Sequence, residues 1–171
     1  MLYVFVEGNS DECFFSKIFF KNVGVEFFQY AAEKHNKTNK FIKTIKKVHD
    51  WDYLFFGDSD GKSISDKSKI LTDRYDELEK DKLFVVQYEI ESWYYAGVSE
   101  DDCQKLDLER FEHPTDKITK EMLISKMVKP SDRQYIMDKM LDVYSIELAE
   151  KRNKSFKIFS DYMRKTRQTK S

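Results

Sequence analysis

Short apolar runs alternate with segments of helical periodicity through the first half of the sequence, and this alternation is the strongest constraint on the fold. The apolar runs, which are typical of buried strands, cover residues 2–7, 25–30, 53–58 and 83–88. Apolar side chains recur at helical spacing in three segments between them: one that begins near Asn9 or Ser10, 38–49 and 65–80. This alternation predicts an α/β architecture, a mainly parallel four-stranded sheet flanked by helices, with right-handed crossovers.

The second half of the sequence carries helical signals alone. The predicted helices cover residues 101–111, 119–128 and 132–164. Pro114 and Pro130 separate them, because proline breaks a helix interior. We therefore predict an α/β core over residues 1–97 and a helical C-terminal extension, residues 98–171, that packs on this core.

The composition excludes a membrane-spanning protein. Charged residues make up 36% of the chain, and no stretch approaches the roughly 18 consecutive apolar residues that indicate a transmembrane helix. The first residues show neither the basic region nor the cleavage site of an export signal. Cys13 and Cys103 lack CxxC spacing and are expected to be reduced thiols. These features predict a cytoplasmic protein with no membrane partner.

The charges are distributed unevenly along the chain, although the net charge is only −1. The segment after residue 150 contains one acid, Asp161, and eight basic residues: Lys151, Arg152, Lys154, Lys157, Arg164, Lys165, Arg167 and Lys170. A basic end on an acidic body is a candidate contact for the phosphates of DNA or RNA. The same cations would also suit the C-terminal end of a helix, where the helix dipole favours positive charge. Both interpretations stay open.

Acidic residues stand at the ends of three of the predicted strands. Glu7 closes the first strand, Asp58 and Asp60 close the third, and Glu89 and Glu91 follow the fourth. In open parallel sheets, ligands bind at the carboxyl ends of the strands, where the strand order reverses. If the first and third strands are adjacent, with the second strand outside the first and the fourth beside the third, these carboxylates converge at one edge.

A cluster of carboxylates at this edge needs a neutralising cation, because like charges at close range repel. The donors are all oxygen atoms, which favours Mg²⁺ or Mn²⁺ as the metal. Each acid also has an ordinary structural interpretation. Asp58 and Asp60 are common turn residues, and Glu7, Glu89 and Glu91 stand near predicted helix starts, where acids are favoured.

The spacing of these acids resembles a known domain family. Glu7-Gly8 after the first strand, followed by Asp58-Ser-Asp-Gly61 after a later strand, resembles the Toprim domain of topoisomerases, primases and several nucleases. The segment 88–95, Tyr-Glu-Ile-Glu-Ser-Trp-Tyr-Tyr, is similar to the acidic segment of small stand-alone Toprim-like proteins and of the nuclease domains of overcoming-lysogenization-defect proteins. The resemblance covers residues 1–97 and implies a Toprim-like, Rossmann-like fold.

The resemblance also implies roles for individual residues. Glu7 would be a metal ligand or general acid/base, Asp58 and Asp60 the metal-binding pair, and Glu89 or Glu91 a further acid for a second metal. The implied activity is Mg²⁺-dependent nicking or cleavage of DNA or RNA. Lys62, next to the aspartate pair, is either a group that stabilises charge on the phosphate or a solvated loop lysine.

Two other functions remain open at the level of sequence. A metal-dependent phosphatase is the runner-up enzyme class. The Asp58-Ser-Asp-Gly61 loop is similar to the nucleophile loop of haloacid-dehalogenase-like phosphatases. Those proteins usually carry it on their first strand, and the sequence shows no downstream acidic motif of that family, so we reject membership of that family. A non-catalytic accessory module could instead bind metal and nucleic acid beside a partner protein. The sequence contains no nucleotide-binding P-loop, so an ATP-driven step would need a separate ATPase partner.

Overall fold

The structure is a computed structural model that describes residues 1–110 and 114–168. The chain forms two compact units, Met1–Val86 and Gln87–Ser171. The first unit contains the sheet, and the second is built from helices. Within the described residues, no helix has both the length and the apolar character needed to cross a membrane. Cys13 and Cys103 are both thiols, as expected.

The first unit is an all-parallel, four-stranded sheet. Its strands are β1 (Leu2–Val6), β2 (Val25–Gln29), β3 (Asp52–Asp58) and β4 (Leu83–Val86), in the order β2-β1-β3-β4. The register pairs Phe5 with Phe55 across β1 and β3, and Asp58 with Val86 across β3 and β4. The predicted fold class and the adjacency of the first and third strands are therefore confirmed.

Three helices connect the strands: α1 (Asn9–Ile18), α2 (His35–Ile45) and α3 (Ile64–Arg74). Single 3₁₀ turns cover Tyr30–Ala32 and Lys80–Lys82. The N-cap of α1 is Gly8, not Asn9 or Ser10, and its N–H donates to the Asp11 carboxylate at 3.1 Å.

Helices α2 and α3 end earlier than the periodicity predicted. The chain leaves α2 after Ile45 and turns so that the Asp52 N–H donates to the Met1 carbonyl at 3.0 Å, which starts β3 beside β1. Helix α3 ends at Arg74 because Tyr75 leaves helical geometry, and its ring packs against Phe55. Pairing with a neighbouring strand and packing of a buried ring therefore set the C-terminal ends of α2 and α3. Neither end can be read from the helical spacing of apolar residues.

Aromatic side chains dominate the core of the first unit. Phe5 and Phe55 stack on neighbouring strands with ring centroids 5.5 Å apart, and Tyr30 stacks on Phe55 at 4.4 Å. Phe15 of α1 contacts Phe56 with centroids 4.0 Å apart. Phe55 and Phe56 are consecutive in a strand and therefore point to opposite faces of the sheet. Both faces of β3 are thus covered by aromatic rings, which fixes its register with little freedom to slip.

The described helices of the second unit are α4 (Glu91–Ala96), α5 (Glu100–Lys105), α6 (Lys120–Ser125), α7 (Arg133–Asp142), α8 (Ile146–Arg152) and α9 (Lys154–Gln168), with a 3₁₀ turn over Pro130–Asp132. The predicted helix 132–164 is therefore three helices. Ser145 starts α8 by accepting the Leu148 N–H, and the Asn153 side chain accepts the Phe156 N–H at the start of α9. The predicted helix 101–111 ends at Lys105, and residue 111 lies outside the described residues.

The helical unit begins at Gln87, before the boundary that we expected at residue 97. The reason is the packing of Trp93, whose indole N–H donates to Ser155 Oγ at 2.8 Å and whose ring stacks on Phe159. The Gln87 N–H also donates to Ser155 Oγ. The packing of the helical extension on the sheet stays a prediction.

Candidate functional site

Two neighbouring strands bring Glu7 and Asp58 together at the carboxyl edge of the sheet. Glu7 follows the last residue of β1, and Asp58 is the last residue of β3. Because the strands are adjacent and parallel, their carboxyl ends lie side by side. Glu7 Oε1 accepts the backbone N–H of Asp58 at 3.1 Å. The two acidic motifs are therefore in contact at this edge, through the Asp58 backbone, and the convergence of their carboxylates on a cation stays a prediction.

Tyr30, just after β2, is a second anchor for Glu7. Its hydroxyl donates to Glu7 Oε1 at 2.9 Å, and its ring is buried against Phe55. Burial raises the pKa of Tyr30 well above its ordinary value, and the Glu7 carboxylate raises it further. The hydroxyl therefore stays protonated and acts as a hydrogen-bond donor. Two donors on one oxygen fix the orientation of the Glu7 carboxylate before any ligand arrives.

Gly57 makes room for this arrangement. A Cβ atom at this position would lie 2.7 Å from Leu71 Cδ1, 3.1 Å from the Tyr30 hydroxyl and 3.6 Å from Glu7 Oε1. A glycine inside a strand often marks a close approach of other groups to the backbone. Gly57 is such a position, because any side chain would push Tyr30 or Leu71 away from the acidic site.

Asp60 lies on a tight loop after β3. The loop is held by the Ser59 N–H, which donates to the Val86 carbonyl, and the Lys62 N–H, which donates to the Ser59 carbonyl, both at 2.9 Å. Asp60 has a φ of +51°, a left-handed conformation that aspartate tolerates better than most residues. Its side chain is 50% exposed, whereas Asp58 is 9% exposed. Asp60 is thus the more accessible carboxylate.

Lys67 of α3 is a functional candidate that the sequence interpretation missed. Its Nζ lies 2.7 Å from Asp60 Oδ2 and 3.8 Å from Glu7 Oε1, and its side chain is only 11% exposed. One ammonium group therefore lies between two of the acids. The sequence pattern does not predict this contact, because a lysine in a polar first helical turn usually faces solvent.

Glu89 and Glu91 belong to the second unit, and their described partners lie there too. The Glu91 carboxylate is buried and accepts from Arg133 Nη2 at 2.9 Å. Burial raises the pKa of Glu91, although Arg133 lowers it. Glu89 accepts the Lys120 N–H at the start of α6. The contacts described so far unite Glu7, Asp58 and Asp60, and the metal roles of Glu89 and Glu91 stay predictions.

Glu7, Asp58 and Asp60 offer only oxygen atoms to a metal ion. Among the described residues, no three His, Cys, Asp or Glu side chains converge closely enough to hold a metal by themselves. Mg²⁺, however, usually keeps several waters and takes one or two carboxylates. Glu7 and Asp60 already flank a single positive charge, that of Lys67. Oxygen atoms are the donors that Mg²⁺ and Mn²⁺ prefer, so the donor type suits such a hydrated ion, and its binding here stays a prediction.

Several basic side chains that could contact the phosphates of a nucleic acid are paired with acids. Lys157 Nζ lies 2.7 Å from the Asp161 carboxylate, and Arg164 contacts the same side chain. Lys43 Nζ lies 3.7 Å from Glu77. These pairs reduce the net positive charge that α2 and α9 present to a phosphate backbone.

Other basic candidates are exposed. Lys62, in the loop after Asp60, and Lys40 and Lys47 are all exposed to solvent. Lys170 and the side chain of Arg167 lie outside the described residues.

No family model matches the sequence, and neither a curated protein nor a solved structure matches it. The resemblance to Toprim domains therefore depends only on the sequence motifs, those around Glu7, around Asp58 and Asp60, and in the segment 88–95.

Proposed function

We propose that this chain is a Toprim-like, Mg²⁺- or Mn²⁺-dependent phosphodiesterase that nicks or cleaves nucleic acid. The observation that carries the proposal is the hydrogen bond from the Asp58 N–H to the Glu7 carboxylate, because it joins the two acidic motifs at one sheet edge. Asp60, two residues further on, presents a half-exposed carboxylate from the same loop. The ordinary turn interpretation concerns Asp58 and Asp60 alone and gives no role to Glu7.

Each residue has a separate task in the proposed site. Glu7, Asp58 and Asp60 would hold the cation, which supplies charge neutralisation for the phosphate and activates water. Tyr30 and the Asp58 N–H keep the Glu7 carboxylate in one orientation. The left-handed backbone of Asp60 turns its carboxylate back towards α3, where Lys67 lies. The site is therefore largely organised before a substrate binds, which reduces the reorganisation that the reaction requires.

The proposed substrate is DNA or RNA, held through its phosphates. Lys62 stands next to the aspartate pair, and Lys40 and Lys47 are exposed on the same unit. We expect binding through these lysines and the basic C-terminal segment to weaken steeply as salt increases, because each phosphate contact releases counterions. Any ATP-driven step would come from a separate ATPase partner.

The decisive variant is Asp60→Asn, since Asp60 is exposed and its replacement leaves the core unchanged. We expect it to abolish Mg²⁺- or Mn²⁺-dependent cleavage of plasmid DNA, single-stranded DNA and RNA. Asp73→Asn is a matched control, because Asp73 is an exposed acid near the end of α3 that also pairs with a lysine, Lys69. Equal cleavage by both variants and the wild-type protein would mean that the activity comes from elsewhere.

A non-catalytic nucleic-acid-binding accessory module is the second candidate. The observation that favours it is Lys67, which already neutralises part of the acidic site without a metal. Nucleic-acid binding without any cleavage in Mg²⁺ or Mn²⁺ would support this alternative. A phosphatase with Asp58 as nucleophile is less favoured, because a nucleophile needs access to the phosphate and Asp58 is 9% exposed.

A further inference from the structure

Lys67 is held in place by α3 rather than by chance contacts at the surface. Ser63 caps this helix by accepting the Asp66 N–H at 3.0 Å. Lys67 and the buried Leu71 are four residues apart and so lie on the same helix face, which packs on the sheet. By contrast, the side chain of Lys69 on the same helix is 74% exposed. The ammonium group of Lys67 is thus directed to the acidic edge by the packing of the whole helix.

The ion pairs of Lys67 explain its burial. A charged lysine that is removed from water needs a partner of opposite charge. Asp60 Oδ2 at 2.7 Å provides the close contact, and Glu7 Oε1 at 3.8 Å provides a second, longer one. These are two of the three carboxylates assigned to the cation under the proposed function. Lys67 and a divalent cation would therefore draw on the same two carboxylates.

We propose that Lys67 is an internal counter-ion that competes with the divalent cation for Glu7 and Asp60. In the metal-free protein, its ammonium group limits the repulsion between the carboxylates and keeps the site folded. When Mg²⁺ or Mn²⁺ binds, the lysine head group leaves these oxygen atoms, because two cations cannot share them without strong repulsion. The inference rests on the proposed function in one respect, that the site takes a divalent cation.

Competition of this kind predicts that cation affinity increases when Lys67 loses its charge. Replacement of Lys67 by the uncharged, similarly shaped methionine removes the competitor and leaves the carboxylates in place. We expect Lys67→Met to bind Mg²⁺ and Mn²⁺ at least about tenfold more tightly than the wild-type protein. If Lys67 instead assisted cation binding, the same variant would bind more weakly.

Titration calorimetry with MgCl₂ and MnCl₂ tests this expectation on the full chain. Lys69→Met is the matched control, since it removes an exposed lysine of the same helix, and its affinity should equal that of the wild-type protein. Equal or weaker affinity in Lys67→Met would overturn the competition while leaving the cation site intact. Absence of binding in the wild-type protein and in Lys67→Met would overturn the proposed function and the competition with it.

A second measurement uses the wild-type protein, so it does not depend on the folding of a variant. Reductive methylation followed by peptide mass spectrometry reports how accessible each lysine amine is. We expect Mg²⁺ to increase the labelling of Lys67 several-fold, because its head group leaves Asp60, and to leave the labelling of Lys69 unchanged. Saturating Mg²⁺ that binds by calorimetry without any change at Lys67 would refute the competition.

Discussion

Replacement of Gly57 by alanine tests the packing that brings Tyr30 and Glu7 to the sheet edge. The added methyl group would lie 2.7 Å from Leu71 Cδ1 and 3.1 Å from the Tyr30 hydroxyl. Contacts this short force side chains away from their positions, because Leu71 and Tyr30 are both buried. We expect Gly57→Ala to loosen the anchor of the Glu7 carboxylate as well as to destabilise the first unit.

The expected magnitude follows from two opposing effects. An extra methyl group in a filled core destabilises by about 1–3 kcal/mol. Replacement of a glycine also restricts the unfolded chain, which stabilises by about 0.4–1 kcal/mol where the native backbone tolerates alanine. Gly24 is the control, because no atom lies within 4 Å of its added Cβ. Gly24→Ala should therefore be neutral or slightly stabilising, while Gly57→Ala should lower the free energy of unfolding by about 1–2 kcal/mol.

Thermal melts followed by circular dichroism measure this difference. For a chain of this size, about 1 kcal/mol corresponds to a change of about 2–4 °C in Tm. Gly57→Ala should melt several degrees below both Gly24→Ala and the wild-type protein, and its Mg²⁺ affinity should fall. A Gly57→Ala protein as stable as Gly24→Ala would show that the space around this glycine does not constrain the site.

Three further substitutions test the remaining contacts. Tyr30→Phe removes one hydrogen-bond donor from the Glu7 carboxylate. Because Glu7 is partly exposed and water can replace the hydroxyl, we expect the free energy of unfolding to fall by about 1 kcal/mol. We also expect weaker Mg²⁺ binding by calorimetry. Arg133→Gln leaves the buried Glu91 carboxylate without its ion pair and should cost about 3 kcal/mol at pH 7 in denaturant titrations. Burial already raises the pKa of Glu91, and loss of Arg133 should raise it further. The loss of stability therefore appears as the pH rises above the pKa of Glu91 in the unfolded chain, and it should be smaller at pH 4 than at pH 7. An equal loss at both pH values would refute the role of Arg133 as the counter-ion of Glu91. Ser155→Ala removes the acceptor of the Trp93 indole N–H and should lower the free energy of unfolding by about 1–2 kcal/mol, whereas no change in Tm would show that this bond does not stabilise the helical unit.

The sheet could be predicted from sequence because its strands are apolar, short and separated by helical segments. We predicted that β1 and β3 are neighbours from the expectation that Glu7 and Asp58 share a cation, which requires adjacent strands. The strand order confirms the adjacency, and the shared cation stays a prediction. The hydrogen bond between Glu7 and the Asp58 N–H agrees with that reasoning. The sequence identifies residues 25–30 as an apolar run but gives no sign that the Tyr30 hydroxyl anchors Glu7.

Two side-chain contacts depend on distant partners that no local pattern encodes, whereas one helix boundary has a local signal. Lys67 appears in a polar stretch like any solvated lysine, and only the packing of α3 turns it towards Asp60. Glu91 was recognised as an acid near a helix start, but its partner Arg133 lies in a helix far along the chain. The split of the predicted helix 132–164 had a local signal in the capping residue Asn153, yet continuous helical periodicity concealed it.

The most direct test is the position of a bound Mn²⁺ ion in crystals of the wild-type protein, located by its anomalous scattering. The proposed function predicts a strong peak within coordination distance of carboxylate oxygen atoms of Glu7, Asp58 or Asp60. The proposed competition predicts in addition that the Lys67 ammonium group has moved away from Asp60. Crystals soaked in saturating Mn²⁺ that show no peak at this edge, with Lys67 still paired to Asp60, would contradict the proposed function.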